Sequence, residues 1–269
     1  MTVLVTALGS GSSGNALLIR SQRGALLIDC GVSQRRIERC LRSVGLQPAD
    51  LQAIVLTHEH GDHALSAIPL ARRYNLPIVT NQATFAALGA ENGSVAFHEI
   101  GVGGALQLAG TTLRSFPVAH DAAAPVGYVV DCGDWRIGIA IDLGSYDQQV
   151  VQALSTADLV VVEANHDREQ LRTAPYDWAV KQRIFGPRGH LDNTTAGELL
   201  AAVADDGRPR CAWLAHLSEM ANTPTKAIQA VQRVLSLAGK RYQSIQALPR
   251  HTVLHWSSDV LLAQSTMVF

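Results

Sequence analysis

Ile54-Val55-Leu56-Thr57-His58-Glu59-His60-Gly61-Asp62-His63 is the stretch that decides how this chain reads. Its first part is the end of a buried β-strand. The residues that follow pack three histidines and an aspartate into a short run. Imidazole and carboxylate together suit zinc and similar divalent ions. A loop leaving a strand can turn such groups toward one point, whereas positions i and i+2 of a helix face apart. Gly61 gives that loop the backbone freedom for the turn. A polar loop that merely happens to be histidine-rich is the competing reading, and the density of ligands directly after a strand argues against it.

Working outward, three more residues share the placement of a ligand at the end of an apolar strand. His120 follows the strand 111–118, Asp142 ends 137–141, and His216 ends 211–215. Each alone reads as an ordinary loop residue; the shared placement is what singles them out. The rest of the chain has the same alternating texture. Runs 3–8, 16–19 and 25–29 are β-rich and separated by Gly/Ser turns, an antiparallel opening. A helix is expected over 34–44, with Ile37, Leu41 and Val44 on one face and Gly45 closing it. Strand 53–56, helix 64–74, strand 77–80 and helix 82–88 come next. A second set of strands is expected from 95 through 141, with turns at 101–104, 109–110 and 133–134. Helix 146–154, strand 159–163, helix 193–204, strand 211–215 and helix 225–238 complete the pattern. Strands, helices and strands again in this order fit a two-sheet core with helices on both outer faces, and no linker divides it, so residues 1–269 read as a single domain.

Composition sets the outer limits. At 269 residues the chain can bury a sizeable core, and 47% hydrophobic with 17% charged residues describes a compact fold rather than a disordered one. A net charge of -1 excludes a uniformly basic nucleic-acid binder but not a local basic patch. Nothing near the N-terminus reads as a signal peptide and no apolar stretch is long enough to span a bilayer, so a cytoplasmic protein is expected, with no membrane partner. Cys30, Cys40, Cys132 and Cys211 form no close pair and are expected as small core residues.

The run from His58 to His63, followed in order by His120, Asp142 and His216, resembles the metallo-β-lactamase superfamily along nearly the whole chain. Three further words resemble its YycJ/WalJ branch: Gly9-Ser10-Gly11-Ser12-Ser13-Gly14-Asn15, Glu163-Ala164-Asn165-His166-Asp167 and Gly189-His190-Leu191-Asp192-Asn193, with His216-Leu217-Ser218 and Asn222 beyond. The branch word carries serine where Asp192 stands. The resemblance implies an α/β fold, a four-layer αββα sandwich with the metals at one edge of the sheets. It assigns His58, His60 and His120 to one metal and Asp62, His63 and His216 to a second, with Asp142 bridging. It places Asp29 as an acceptor that buttresses the histidine loop. It also implies a DNA exonuclease working 5′ to 3′, and pairing into a homodimer is common among such relatives.

Two cations near each other make hydroxide available from a bridging water at neutral pH. Zinc is the default for a His/Asp set and manganese is its rival. Asp62 and His190 are the candidate catalytic residues, His190 as donor of a proton to the departing oxygen; a structural hydrogen bond in its Gly-flanked loop is the alternative. Ser12, Ser13 and Asn15 could cradle a phosphate, or belong to a plain hairpin turn. His166 and Asp167 are expected near the cleft, as braces or as substrate contacts. Arg168, Arg172, Lys181, Arg183 and Arg188 give their segment a basic bias that suits phosphates, or a solvated face. The resemblance makes nucleic acid, DNA before RNA, the expected substrate. Hydrolysis of small esters, thioesters, lactams or lactones ranks second, and a metal-binding accessory or regulatory protein third. A cysteine at position 142 would have favoured a lactamase, and the interval from Asp142 to His216 is too short for the large inserted domain of β-CASP nucleases. No arm of the tRNase Z type is evident. The stretch 248–269, with His251, His255 and Trp256, carries no readable motif.

Overall fold

The computed structural model describes residues 2–89, 93–108, 110–204, 206–259 and 261. Ala109 of the expected 109–110 turn and most of the last ten residues lie outside them. The chain runs β1 (Leu4–Gly9), β2 (Ala16–Ser21), β3 (Gly24–Ile28), α1 (Gln34–Ser43), β4 (Leu51–Val55), α2 (Gly61–Ala64), α3 (Ala67–Tyr74), β5 (Ile78–Thr80), α4 (Gln82–Ala87) and β6 (Phe97–Glu99). It continues through β7 (Ala105–Leu108), β8 (Thr111–Pro117), β9 (Val126–Asp131), β10 (Arg136–Ala140), α5 (Gln148–Leu154), β11 (Leu159–Glu163), α6 (Arg168–Thr173) and α7 (Trp178–Phe185). Last come α8 (Asn193–Val203), β12 (Cys211–Ala215), α9 (Pro224–Leu237), β13 (Ser244–Ala247) and β14 (Leu254–Ser257).

Among the described residues two seven-stranded sheets result, in the orders β14-β1-β2-β3-β4-β5-β6 and β13-β12-β11-β10-β9-β8-β7. The middle strands are apolar on both faces because both faces are covered. In β3, Leu26 and Ile28 point between the sheets, while Ala25 and Leu27 point to the helices α1 and α3. In β12, Cys211 and Trp213 face the inter-sheet core, while Ala212 and Leu214 face α8 and α9. The period of two thus feeds three apolar layers and gives the αββα order expected. All four cysteines are buried and free.

The parallel pairs decide where the chemistry sits. β3 pairs parallel with β4 in one sheet, and β10, β11 and β12 pair parallel in the other. β8 runs antiparallel to β9, which runs antiparallel to β10, so β8 ends at the same edge. The C-terminal ends of β3, β4, β8, β10, β11 and β12 therefore gather on one rim.

Several boundaries differ from the sequence reading for identifiable reasons. β6 joins the first sheet beside β5 rather than opening the second set, and Phe97 stacks on Phe85 at 4.1 Å. The helix expected over 64–74 is two helices, since α2 starts within the metal run at Gly61. α6 and α7 carry no helical apolar period, since α6 buries only Leu171 and α7 none of its residues. β14 is a four-residue edge strand paired to β1, with Trp256 in the inter-sheet core and a 2.9 Å hydrogen bond between His255 Nδ1 and Thr6 Oγ1.

The loop 10–15 lies against the metal run. The Asn15 N–H donates to Asp62 O at 2.8 Å, and the Gly31 and Cys30 N–H groups donate to Asn15 O at 2.9 Å and His63 O at 2.7 Å. A Cβ at Gly31 would stand 1.7 Å from Asp62 O, so backbone meets backbone there. Gly31→Ala is expected to destabilise the fold by about 1–3 kcal/mol and to lower the metal bound per chain, read by denaturant midpoint and elemental analysis.

Candidate metal centre

The histidine run leaves β4 through Thr57, which is pinned before the first ligand. Asp29, at the end of β3, accepts from the Thr57 N–H at 2.9 Å and from Thr57 Oγ1 at 2.9 Å. Its Oδ2 also accepts from His63 Nδ1 at 2.8 Å, which turns His63 Nε2 toward the cleft. His60 sits at the N-terminus of α2, so Asp62 and His63 are carried by that helical turn.

The other candidate ligands arrive from the second sheet. His120 Nδ1 donates to Gly189 O at 3.0 Å, leaving Nε2 inward. Asp142, 1% exposed, places Oδ2 at 3.3 Å from His58 Nε2, 3.0 Å from His63 Nε2 and 3.8 Å from His120 Nε2. His216 Nε2 lies 3.1 Å from Asp62 Oδ2, and its own N–H is held by Ser10 Oγ at 2.8 Å. Asp29, Asp142 and His216 all have positive φ, near 56°, 59° and 55°. Such backbone is costly outside glycine and persists where surroundings over-determine it. Here each strand must turn at once to aim its side chain at the rim.

Among the described residues three groups share Asp142: His58, His60, His120 and Asp142; Asp62, His63, Asp142 and His216; and Asp142, Glu163, His190 and His216, of which the first two are the sets expected from sequence. Within each, the donor atoms lie within 4.8 Å of one another. His58 Nε2 and His120 Nε2 are buried without a hydrogen-bond partner, a cost that a bound cation would remove. The residues fit a pair of divalent ions. Burial lowers the pKa of His58 and His120, keeping them neutral as ligands must be. Burial also opposes charge on His63, but the carboxylates of Asp142 and Asp29 outweigh it and raise its pKa to about 10.

A further carboxylate was not singled out from sequence. Glu163 ends β11 fully buried, and Oε1 accepts from His190 Nδ1 at 2.8 Å and from His216 Nδ1 at 2.9 Å. Oε2 accepts from the Leu143 N–H at 2.9 Å. The available signal was an acid closing the apolar run Leu159–Glu163, the same strand-end placement as the ligands. Burial works against the charge on His190, yet Glu163 and Asp142 raise its pKa to about 9.

His60, Asp62, His120, Asp142, His190 and His216 line one cleft of about 390 Å³. Ser12, Asn165, Tyr176, Val180, Arg183, Ile184 and Ser218 complete its wall. Ser13 is exposed and does not line it. Asn15 is buried, with Oδ1 accepting from the Gly11 N–H at 2.9 Å and Nδ2 3.0 Å from His63 Nε2. His166, 2% exposed, is not part of the cleft wall and makes a T-shaped contact with Phe185 at 5.4 Å. Asp167 caps α6, and Asp192 caps α8 by accepting from the Thr194 and Thr195 N–H groups.

Residues 25–217 match the family described as the β-lactamase superfamily domain. The chain belongs to the metallo-β-lactamase superfamily. It is 32% identical to exodeoxyribonuclease YycJ of Bacillus anthracis over 237 residues, covering 87% of this chain and 89% of that one. It is 34% identical to exodeoxyribonuclease WalJ of Streptococcus pneumoniae over 222 residues, covering 80% and 81%. The metallo-β-lactamase fold protein YhfI of Bacillus subtilis superposes with a TM-score of 0.73 at 18% identity, covering 95% of this chain and all of that one. This superfamily member is a metal-dependent hydrolase of the YycJ/WalJ type. Among the described residues, no helix is long and apolar enough to cross a membrane.

Asp29→Ala should weaken metal binding by about 10–100-fold, because His63 loses the acceptor that orients it. Metal uptake should release protons, since His63 holds one at neutral pH until a cation displaces it. Affinity should therefore rise with pH toward about 10. Titration calorimetry in buffers of different ionisation enthalpy reads both.

Proposed function

We propose that this chain is a phosphodiesterase that degrades DNA from a strand end, an exonuclease running 5′ to 3′. The observation that carries the reading is the Glu163–His190 pair beside the shared metal groups. Breaking the P–O bond of a phosphodiester expels an alkoxide, which benefits from a proton; breaking the C–S bond of a thioester expels a stabilised thiolate, which has less need of one. The likeness to two exodeoxyribonucleases over most of the chain supports the same substrate class.

His58, His60 and His120 would hold one cation, and Asp62, His63 and His216 the other, with Asp142 between them. Zinc suits this nitrogen and oxygen set, with manganese as its rival. When bound, two such cations would make hydroxide available at neutral pH and would offset charge developing on phosphoryl oxygens. The chain's own part is positioning and proton supply. Glu163 holds the Nδ1 proton of His190, which leaves Nε2 directed into the cleft to protonate the departing sugar oxygen. Burial opposes the charge on Asp62, but His216 and His63 outweigh it and bring its pKa to about 2, so it stays a carboxylate at working pH. Ser12 stands at the cleft opening, where its hydroxyl can meet a phosphate. Asn15 acts through His63 rather than on substrate.

With metal-loaded protein, labelled DNA should be shortened from its end, while RNA, thioester and lactam panels react more slowly. Strong ester turnover with inert nucleic acid would overturn the reading. His190→Ala should lower DNA turnover by about 10²–10⁴-fold with metal content kept. Glu163→Gln removes the charge that raises the His190 pKa, so the alkaline limb of the kcat profile should move to lower pH. An unmoved limb would remove Glu163 from the proton path.

A further inference from the structure

The segment between β11 and α8 is rich in cations, and the structure sorts them. Arg168 is taken by Asp192 at 2.9 Å, and Arg172 pairs with Glu169 at 2.7 Å. Lys181 Nζ donates to Arg172 O at 2.7 Å, and Arg188 donates through Nε and Nη2 to His120 O. Of these five, Arg183 alone lines the cleft. Its Nε and Nη2 form a fork on Asp121, at 2.6 and 3.0 Å, and Nη1 makes no hydrogen bond among the described residues. Asp121 Oδ1 in turn lies 3.3 Å from His120 Nε2. The guanidinium is thus fixed two contacts away from a metal-facing nitrogen, with unused donors and a side chain 55% exposed.

The helix that carries it has an unusual surface. α7 buries none of its residues. Val180, Arg183 and Ile184 share one side of it by helical spacing, and all three line the cleft with Tyr176. Val180 is 40% exposed. An apolar strip beside one fixed cation, continuous with the metal groups, matches the mixed sugar, base and phosphate character of a nucleic-acid strand. Stacking or packing of bases with phosphate contacts is the usual way single strands are held.

We propose that α7 is the strand-holding wall of the cleft, with Arg183 anchoring the phosphate next to the one cleaved. This rests on the nuclease reading above. Asp121 is then a positioning residue: it holds the planar guanidinium in place while leaving Nη1 to the strand. An arginine fork suits this double duty, since a lysine at position 183 would be a single point charge.

The probe is a fluorescein-labelled, single-stranded phosphorothioate oligonucleotide, with binding to metal-loaded protein followed by anisotropy across a salt series. Arg183→Ala should raise Kd about tenfold and reduce the slope of log affinity against log salt by about 0.7, the value of one lost single-strand phosphate contact. Metal content should stay as in the parent. Arg183→Lys should keep the slope while binding several-fold more weakly. Val180→Ser, which removes apolar surface from the strip and adds no charge beside the fork, should also weaken binding. Unchanged Kd and slope in Arg183→Ala would overturn the anchor, and unchanged binding in Val180→Ser would overturn the wall. Parent protein that neither binds nor shortens DNA would instead overturn the nuclease reading, and this proposal with it.

Discussion

The carboxylate of Asp142 lies 1% exposed among His58, His63, His120 and His216, with oxygens 2.9 to 3.8 Å from their ring nitrogens. A buried carboxylate is tolerated only when opposite charge or hydrogen-bond donors surround it. Those histidines come from three different strand ends in two sheets, so the cluster requires the sheets to be packed in register. Conversely, the sharp backbone turns at Asp29, Asp142 and His216 make sense only because the cluster draws their side chains to one point. Fold and site specify each other here through one shared anion.

Around that anion the polar side chains fall into rings. Asp29 fixes Thr57 and His63; Glu163 fixes His190 and His216; Gly189 O fixes His120. Each acceptor takes the Nδ1 proton and so decides that Nε2 faces inward for His63, His120 and His190. For His63 and His120 that arrangement leaves an inward nitrogen able to take a cation. The loop 10–15 serves the same end through backbone contacts, with Ser10 holding the His216 N–H and Asn15 lying against His63.

The two halves of the cleft differ in how much structure supports them. The metal side rests on central strands with three apolar layers behind it. The α7 side is a short helix without a buried residue, tied down by the Arg183 fork to Asp121 and by the His190 N–H donating to Ile184 O. Residues that meet a substrate of variable sequence are suited to such a rim, where adjustment costs little core packing.

Much of this was determined by the sequence alone. The run His58–His63 and the apolar strands that precede His120, Asp142 and His216 carry a local signal, because strand period and ligand chemistry are properties of neighbouring residues. The central strands 159–163 and 211–215 were legible to the residue for the same reason. Tertiary structure decided what local patterns cannot encode. Glu163 looked like the end of a strand until His190 and His216 were brought to it across 27 and 53 positions. The sequence leaves Asn15 open between a phosphate cradle and a hairpin turn; the structure sets its amide 3.0 Å from His63 Nε2. Five basic residues between 168 and 188 looked alike until packing left Arg183 in the cleft and paired the others elsewhere. In each case the deciding quantity is a distance between residues far apart in sequence, and only the closing of two sheets on one another sets it.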